Sequence, residues 1–319
     1  TEREVELLFQ HIRRLTEKGV AIIYISHRMA EIFSICDRVS VYRDGQYIGT
    51  DDTANLDETK LIKMMVGREI TDVYPKLDAD IGEVIFEAKN IVRADQKVKN
   101  VSLSVCRGEI LGIGGLVGAG RSELVEGIFG GEIYVKGKKV KVSSPRDIIK
   151  EGVALITEDR KVTGLNLSGS VNDNIAMVAI KKLLSHGLYN RSKALSASQE
   201  YIEKLNIKTP SGNQIVGNLS GGNQQKVVIA KWLLNEPDII ILDEPTRGID
   251  VAAKRDIYLL LGQLVRQGKA VIMISSEIPE LMGICDRIAV MCEGNYSGEV
   301  QRGEFSQERI MALASAIKV

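Results

Sequence analysis

The 319-residue chain is 44% hydrophobic and 26% charged, and its 42 basic residues balance 42 acidic ones for a formal net charge of zero. This is the composition of a folded globular protein long enough for one to three domains, which excludes the disordered and fibrous classes. The balanced charge favours neither nucleic acid nor an anionic membrane, and no nucleic-acid partner is expected. Four cysteines, Cys36, Cys106, Cys285 and Cys292, lack metal-ligand spacing and predict reduced, buried thiols. The longest apolar runs, such as 20–25 and 239–242, are strand-sized, against the ~20 residues a membrane span needs. With no signal peptide read at the start, any work at a membrane is expected from the cytoplasmic side through a partner. The chain begins at Thr1, not Met, and reads as a fragment of a longer one.

A helical pattern over 2–18 opens the chain, and an internal repeat follows. Segment 19–50 matches 268–299 at a constant offset of 249 residues without a gap, with 14 of 32 positions identical. Identities include Ser26/Ser275, Glu31/Glu280, Gly45/Gly294 and the run from Ile35 to Arg38, which recurs from Ile284 to Arg287. Shared α/β composition would neither keep register nor repeat a four-residue run. A helical pattern follows each copy, at 57–66 and 306–314. Everything that precedes this unit in the second copy is missing from the first. Residues 1–70 are therefore expected to be the end of one domain and 81–319 a second, nearly complete one. The intervening 71–80 reads as a linker, because Pro75 stops regular structure and the acidic residues keep it solvated.

In the second domain, strands are predicted near 84–91, 97–105 and 110–114. Helices and strands then alternate: helix 122–129, strand 153–156, helix 223–234, strand 238–242, helix 251–267 and strand 270–275. That order predicts an α/β fold with a largely parallel core sheet edged by antiparallel strands. Segment 165–215 reads as a helical insert, from the apolar cluster around Ile175 and Val178 and the periodicity of 192–205.

The strand at 110–114 runs into Gly115-Leu116-Val117-Gly118-Ala119-Gly120-Arg121-Ser122 and then a helical pattern. This is the phosphate-loop template G-x-x-x-x-G-K-[ST] with arginine where lysine belongs. Glycines let backbone N–H groups turn inward on phosphates, and the following helix presents its positive end. Gly115, Gly118, Ala119, Gly120, Arg121, Ser122 and Glu123 are the candidate nucleotide-binding residues here, with Ser122 also a Mg²⁺ ligand. Arginine keeps the charge, but its planar fork is bulkier than an ammonium and suits a bidentate contact better than a tight bridge between phosphates. Taken alone, the segment is explained equally well as a structural turn.

Two further motifs stand with it. Residues 238–244 form an apolar strand ending in adjacent carboxylates, Asp243 and Glu244. Strand alternation is expected to point them to different sides, one holding the Mg²⁺ shell and the other polarising water. In the other, Ser220, Gly221 and Gly222 precede a long helix and offer a hydroxyl and bare amides at its N-terminus, a clamp for a γ-phosphate or an ordinary cap.

Together these residues resemble the ABC ATPase family over the whole length of the chain. LSGGNQQK at 219–226 resembles that family's signature motif, and ILDEPTRGID at 241–250 its Walker B strand and D-loop. The wording is similar to the fused double-domain ATPases that import ribose, galactose, xylose and related sugars. The stretches that carry this are GEILGIGGLVGAGRSEL (108–124), ITEDRK (156–161), ISSEIPEL (274–281) and MMVGREITDVYP (64–75). The resemblance implies an ABC-type phosphate-loop domain using ATP and Mg²⁺, with Asp243 as a Mg²⁺ ligand, Glu244 as the catalytic carboxylate and Asp250 in the D-loop. It also implies membrane permease subunits as partners, a sugar-binding protein indirectly, and either the missing first ABC domain or a second copy. The place of action would be the inner face of the cell membrane.

Departures from the pattern fit a branch whose second domain is degenerate. Arg121 replaces lysine, Glu158 stands for the Q-loop glutamine, and Ser276 stands for the switch histidine. The first copy keeps a histidine at His27, aligned with Ser276, to which the resemblance gives the catalytic switch role. His11 and His186 are given none. Where the family often places an adenine-stacking aromatic, residues 92–100 contain none, and Arg93 is a weak substitute. Family members pair head to tail around ATP. His27 and the signature at Ser220, Gly221 and Gly222 would then serve one composite site, and Arg121, Ser122, Asp243 and Glu244 the other. Two readings compete: a regulatory half that binds nucleotide without turnover, and a soluble ABC ATPase of DNA repair or translation. Against the second stand the lack of coiled-coil arms and of basic extensions.

Overall fold

The computed structural model describes residues 2–26, 29–43, 46–57, 60, 61, 64 and 73–315. The chain forms two units, Thr1–Val73 with Asp250–Ala252, and Tyr74–Ile249 with Ala253–Val319. In the smaller unit, α1 (Glu2–Thr16) and α2 (Met29–Ile35) are followed by an antiparallel hairpin of β1 (Arg38–Arg43) and β2 (Gln46–Asp52). Its core is small, built from Ile32, Val39, Val41, Leu56 and Leu61. The apolar run 20–25 has neither helix nor strand, and Ile23 and Ile25 are 93% and 92% exposed. His27 lies outside the described residues, as does most of the helical pattern at 57–66.

The larger unit opens with β3 (Val84–Val92), β4 (Lys99–Cys106) and β5 (Ile110–Gly115), then α3 (Arg121–Gly127), β6 (Glu132–Val135), β7 (Lys138–Val140), α4 (Pro145–Lys150) and β8 (Val153–Ile156). The insert follows: α5 (Val171–Ala176), a two-residue hairpin of β9 (Leu184–Ser185) and β10 (Leu188–Tyr189), and α6 (Arg191–Lys204). Ser170 and Asn190 cap its two helices with their side chains, which fixes where each starts. The chain then runs through α7 (Gly221–Leu233), β11 (Ile239–Asp243), α8 (Val251–Arg266), β12 (Ala270–Ile274), α9 (Ile278–Ile284), β13 (Arg287–Cys292), β14 (Asn295–Gln301) and α10 (Gln307–Ala314).

Six strands form the core sheet in the order β14-β13-β5-β12-β11-β8, parallel throughout except for β14 at the edge. A second, antiparallel sheet has the order β4-β3-β6-β7. β11 and β12, IIILD and AVIMI, are buried at every residue. Such unbroken apolar runs mark strands covered on both faces, as parallel sheets are. One apolar layer lies under α7 and α8, where Ile257, Leu261, Leu264 and Val265 recur at helical spacing. The other lies between the two sheets and includes Leu124 and Val125 of α3. The α/β class, the mainly parallel sheet, the antiparallel edge and the helical insert are thus as the sequence predicts.

One expectation is corrected. Segment 74–80 does not stand free in solvent: the Tyr74 ring lies 5.7 Å from Tyr258, Lys76 pairs with Asp286 at 2.7 Å, and Arg266 donates to the Asp78 carbonyl. Its aromatic and aliphatic residues found a helix face to bury against, and only Asp78 and Asp80 are exposed.

Candidate functional site

β12 lies between β5 and β11, so the loop leaving β5 and the carboxylates ending β11 emerge side by side. The loop is shaped by backbone conformations that side chains resist. Gly115 has φ 149°, where a Cβ would meet the Met291 carbonyl oxygen at 2.5 Å; Gly120 has φ 93°, with the Lys97 carbonyl oxygen at the same 2.5 Å. Glycine is required at both. Gly118 is also left-handed, and Ala119 holds the turn by accepting from the Gly294 N–H. Arg121 and Ser122 then begin α3, while Glu123 faces Lys97 at 3.0 Å, which holds its carboxyl below the ordinary range.

Ser122 Oγ donates to Asp243 Oδ1 at 3.2 Å. Asp243 is 6% exposed, and burial pushes its carboxyl upward against the pull of Ser122 and Arg121. A hydroxyl and a buried carboxylate at hydrogen-bonding distance are hard oxygen donors suited to Mg²⁺, which takes one or two protein ligands and leaves the rest to phosphate and water. The described residues hold no group of three or more His, Cys, Asp or Glu able to cage a metal.

Glu244 reaches the site by a different route from the strand alternation expected of it. β11 ends at Asp243, and Glu244 turns left-handed at φ 46° with its N–H bonded to the Ile274 carbonyl. Both carboxylates consequently face the start of α3. A non-glycine residue in this region costs about 1 kcal/mol, a strain typical of functional loops. Arg121 Nη2 lies 3.5 Å from Glu244 Oε1, each side chain only 10% exposed, and Ser276 Oγ donates to Oε2 at 3.1 Å. Arg121 also donates from Nη1 to the Ser275 carbonyl at 2.6 Å. Burial raises the Glu244 carboxyl, with Arg121 and Ser276 opposing.

The other predicted residues gather elsewhere in this unit. Glu158 pairs with Arg247 in the loop after β11. Ser220 stands before α7 without a capping hydrogen bond from its side chain, its Oγ accepting from Asn223 instead. Gly221 touches Gly248, whose carbonyl oxygen would meet a Cβ at 3.0 Å, and Gly222 is buried in the first turn. Arg160, in a π-helical turn, donates to the Arg247 and Gly248 carbonyls and covers Gly221. Sequence reasoning missed it, although it lies in the quoted ITEDRK stretch. Also missed was Glu280, fully buried, which accepts from Ser275, Thr246 and Tyr258 and thereby ties the loops after β11 and β12 together. Its signal was present: the Ser-to-Glu spacing is identical in both copies of the repeat.

A phosphate loop entering a helix, with a hydroxyl against a carboxylate at the end of a parallel strand of the same sheet, defines a P-loop nucleotide-binding domain. Residues 98–247 match the family model for the ABC transporter. The chain is 50% identical to a Halalkalibacterium halodurans protein named for ribose, galactose and methyl galactoside import, over 99% of this chain and 61% of that one. Against the ribose import ATP-binding protein RbsA of Clostridium tetani it is 49% identical, over 99% of this chain and 64% of the relative. The chain thus spans less than two thirds of these relatives. Among solved structures, a nucleotide-free ATP-binding cassette from an ABC transporter superposes with a TM-score of 0.61 at 21% identity, covering 72% of this chain and 98% of that one. A dimeric cassette in a post-hydrolysis state with ADP and Pi gives 0.59 at 24% identity, covering 69% and 100%. Residues 98–247 thus carry an ABC transporter domain.

Proposed function

We propose that this chain is the C-terminal portion of the ATP-binding subunit of a sugar importer, driving entry of ribose, galactose or a related monosaccharide. Residues 1–70 are the end of a first ATP-binding domain, 71–80 the connection, and 81–319 a second domain with a degenerate site. Its partners are membrane permease subunits, with a sugar-binding protein acting through them, and either the first domain or a second copy completes the ATP sandwich at the inner face of the cell membrane. The names of relatives aligned over 99% of the chain support the substrate class. Among the described residues no helix is long and apolar enough to cross a membrane, which fits a subunit that reaches its permease by contact.

The observation that carries the site reading is the pair of contacts Ser122–Asp243 and Arg121–Glu244, which join the start of α3 to the end of β11. The backbone amides from Gly115 to Ser122 would receive the phosphates, and Ser122 and Asp243 would hold Mg²⁺, which supplies charge neutralisation to the β- and γ-oxygens. Glu244 is the residue placed to polarise water. Ser220, Gly221 and Gly222 present their hydroxyl and amides to the nucleotide held by the partner domain, the site that His27 would also serve. Arg121 meets Glu244 where a lysine would meet phosphate, which supports weak nucleotide binding and little turnover in this chain, and equally a regulatory half that keeps its nucleotide.

Calorimetry of the chain with Mg-ATP, with Arg121→Ala as control, tests this. Binding that weakens at least tenfold in the variant, with no sustained hydrolysis, is expected. Steady ATP turnover abolished by Glu244→Gln would show that the second domain is a working ATPase and overturn the degenerate reading.

A further inference from the structure

Two of the three departures from the ABC ATPase pattern, Arg121 for lysine and Ser276 for histidine, lie far apart in sequence. In the fold both touch one carboxylate. Each oxygen of Glu244 has one of them as its partner, Arg121 Nη2 at Oε1 and Ser276 Oγ at Oε2. Arg121 is anchored in turn, because its other terminal nitrogen donates to the Ser275 carbonyl, next in the chain to Ser276. The planar fork allows this: two nitrogens in a fixed plane serve a carbonyl and a carboxylate at once, where an ammonium is a single mobile point. The Glu244 main chain is fixed as well, left-handed and bonded through its N–H to the Ile274 carbonyl at the end of β12.

We propose that Arg121 and Ser276 are positioning residues that hold Glu244 as the internal counter-ion of the phosphate loop, so that Glu244 and the phosphate chain of a nucleotide compete for one guanidinium. This rests on the nucleotide-site reading above and would account for the weak binding and low turnover proposed there. The Arg121 and Glu244 side chains are largely withdrawn from water, so their ion pair is screened far less than a surface salt bridge. A phosphate chain arriving at the loop meets a cation already neutralised. With one partner on each oxygen, Glu244 is held towards Arg121 and Ser276 while keeping lone pairs for water.

A double-mutant cycle on the full chain tests the proposal, using Arg121→Met, Glu244→Gln and the two combined, with Ser276→Ala alongside. Without nucleotide, urea unfolding is expected to show the double variant losing clearly less stability than the sum of the single losses. With Mg-ATP, calorimetry is expected to show Glu244→Gln binding at least tenfold tighter, Ser276→Ala tighter by a smaller factor, and the Glu244→Gln gain vanishing when Arg121 is Met. Strict additivity in the nucleotide-free cycle overturns the positioning pair. An equal Glu244→Gln gain in both backgrounds overturns the competition, since it reports only repulsion between Glu244 and phosphate. If coupling is present but no variant binds Mg-ATP, the nucleotide reading and the competition both fall and the positioning role alone stands.

Discussion

The two copies of the internal repeat fold alike from one point onward and differ before it. From α2 the elements keep the 249-residue offset to the residue: Met29–Ile35 against Ile278–Ile284, Arg38–Arg43 against Arg287–Cys292, and Gln46–Asp52 against Asn295–Gln301. Even the ladder irregularity recurs, between Val41 and Tyr42 in one copy and Val290 and Met291 in the other. Ahead of α2 the likeness ends. Residues 270–274 form a fully buried strand between β5 and β11, whereas 20–25 pair with no described strand and leave Ile23 and Ile25 in solvent. A helix and a tight hairpin carry their hydrogen bonds within themselves. A central parallel strand has none until neighbours are supplied, and 20–25 have none among the described residues.

The largest test of that contrast is a matched pair of truncations. Ile274 is fully buried and Ile25 is 92% exposed, at equivalent positions of the repeat. Ile274→Ala is expected to cost about 2–5 kcal/mol through lost burial and the cavity left behind. Ile25→Ala is expected to stay within about 0.5 kcal/mol, as surface changes do. Urea unfolding followed by circular dichroism measures both. Similar losses at the two sites would mean that the first copy's run is packed after all.

A smaller effect separates the copies at their shared Ser–Glu contact. Glu31 accepts from Ser26 and Tyr24, each at 2.8 Å. Glu280 accepts from Ser275, Thr246 and Tyr258 inside the core, near Lys254. Burial is the main cause that raises the Glu280 carboxyl, with the hydroxyls and Lys254 opposing. The folded chain therefore keeps this proton to higher pH than the unfolded chain. Its contribution to stability falls as pH rises from the unfolded value, about 4.3, through the raised folded one. Glu280→Ala should cost about 3 kcal/mol, because buried hydroxyls lose their acceptor. Glu280→Gln removes the titration, so the stability difference between variant and parent should move in the variant's favour as pH rises. Unfolding midpoints across a pH series give the slope, and a parallel pair of curves would refute it.

What the sequence made legible follows the same division. The glycine loop, the acid-ended strand β11 and the alternation of helices and strands are local signals, and each falls where its pattern points. The partners of the site residues are not local. Nothing around Arg121 indicates that its fork meets Ser275 and Glu244, and nothing around Glu158 indicates Arg247. The first depends on β12 lying between β5 and β11, and the second on β8 lying beside β11, both tertiary facts. Glu244 makes the point most sharply: strand alternation aims it away from Asp243, but the strand stops one residue earlier and a left-handed turn redirects it.

The smallest expected effect concerns Arg93, which lies where the resemblance to ABC ATPases leads an aromatic to be expected. Sequence alone offers its guanidinium as a substitute platform for adenine. Its neighbours hold it otherwise: Nη1 pairs with Glu126 at 2.6 Å, Nη2 with Asp95 at 3.0 Å, and its stem lies over Gly127, where a Cβ would come within 2.8 Å of Cγ. A guanidinium bound to two carboxylates offers little cation–π attraction to a base. The nucleobase should then add almost nothing to binding, against the roughly 1–3 kcal/mol that stacking on an aromatic supplies. Competition calorimetry is expected to place Mg-ATP and inorganic Mg-triphosphate within about threefold of each other, a difference below 1 kcal/mol. Arg93→Tyr, which frees both carboxylates and supplies a ring, should shift that ratio towards ATP. A parent chain that already prefers ATP by tenfold or more would mean that the base is held by a surface other than the Arg93 loop.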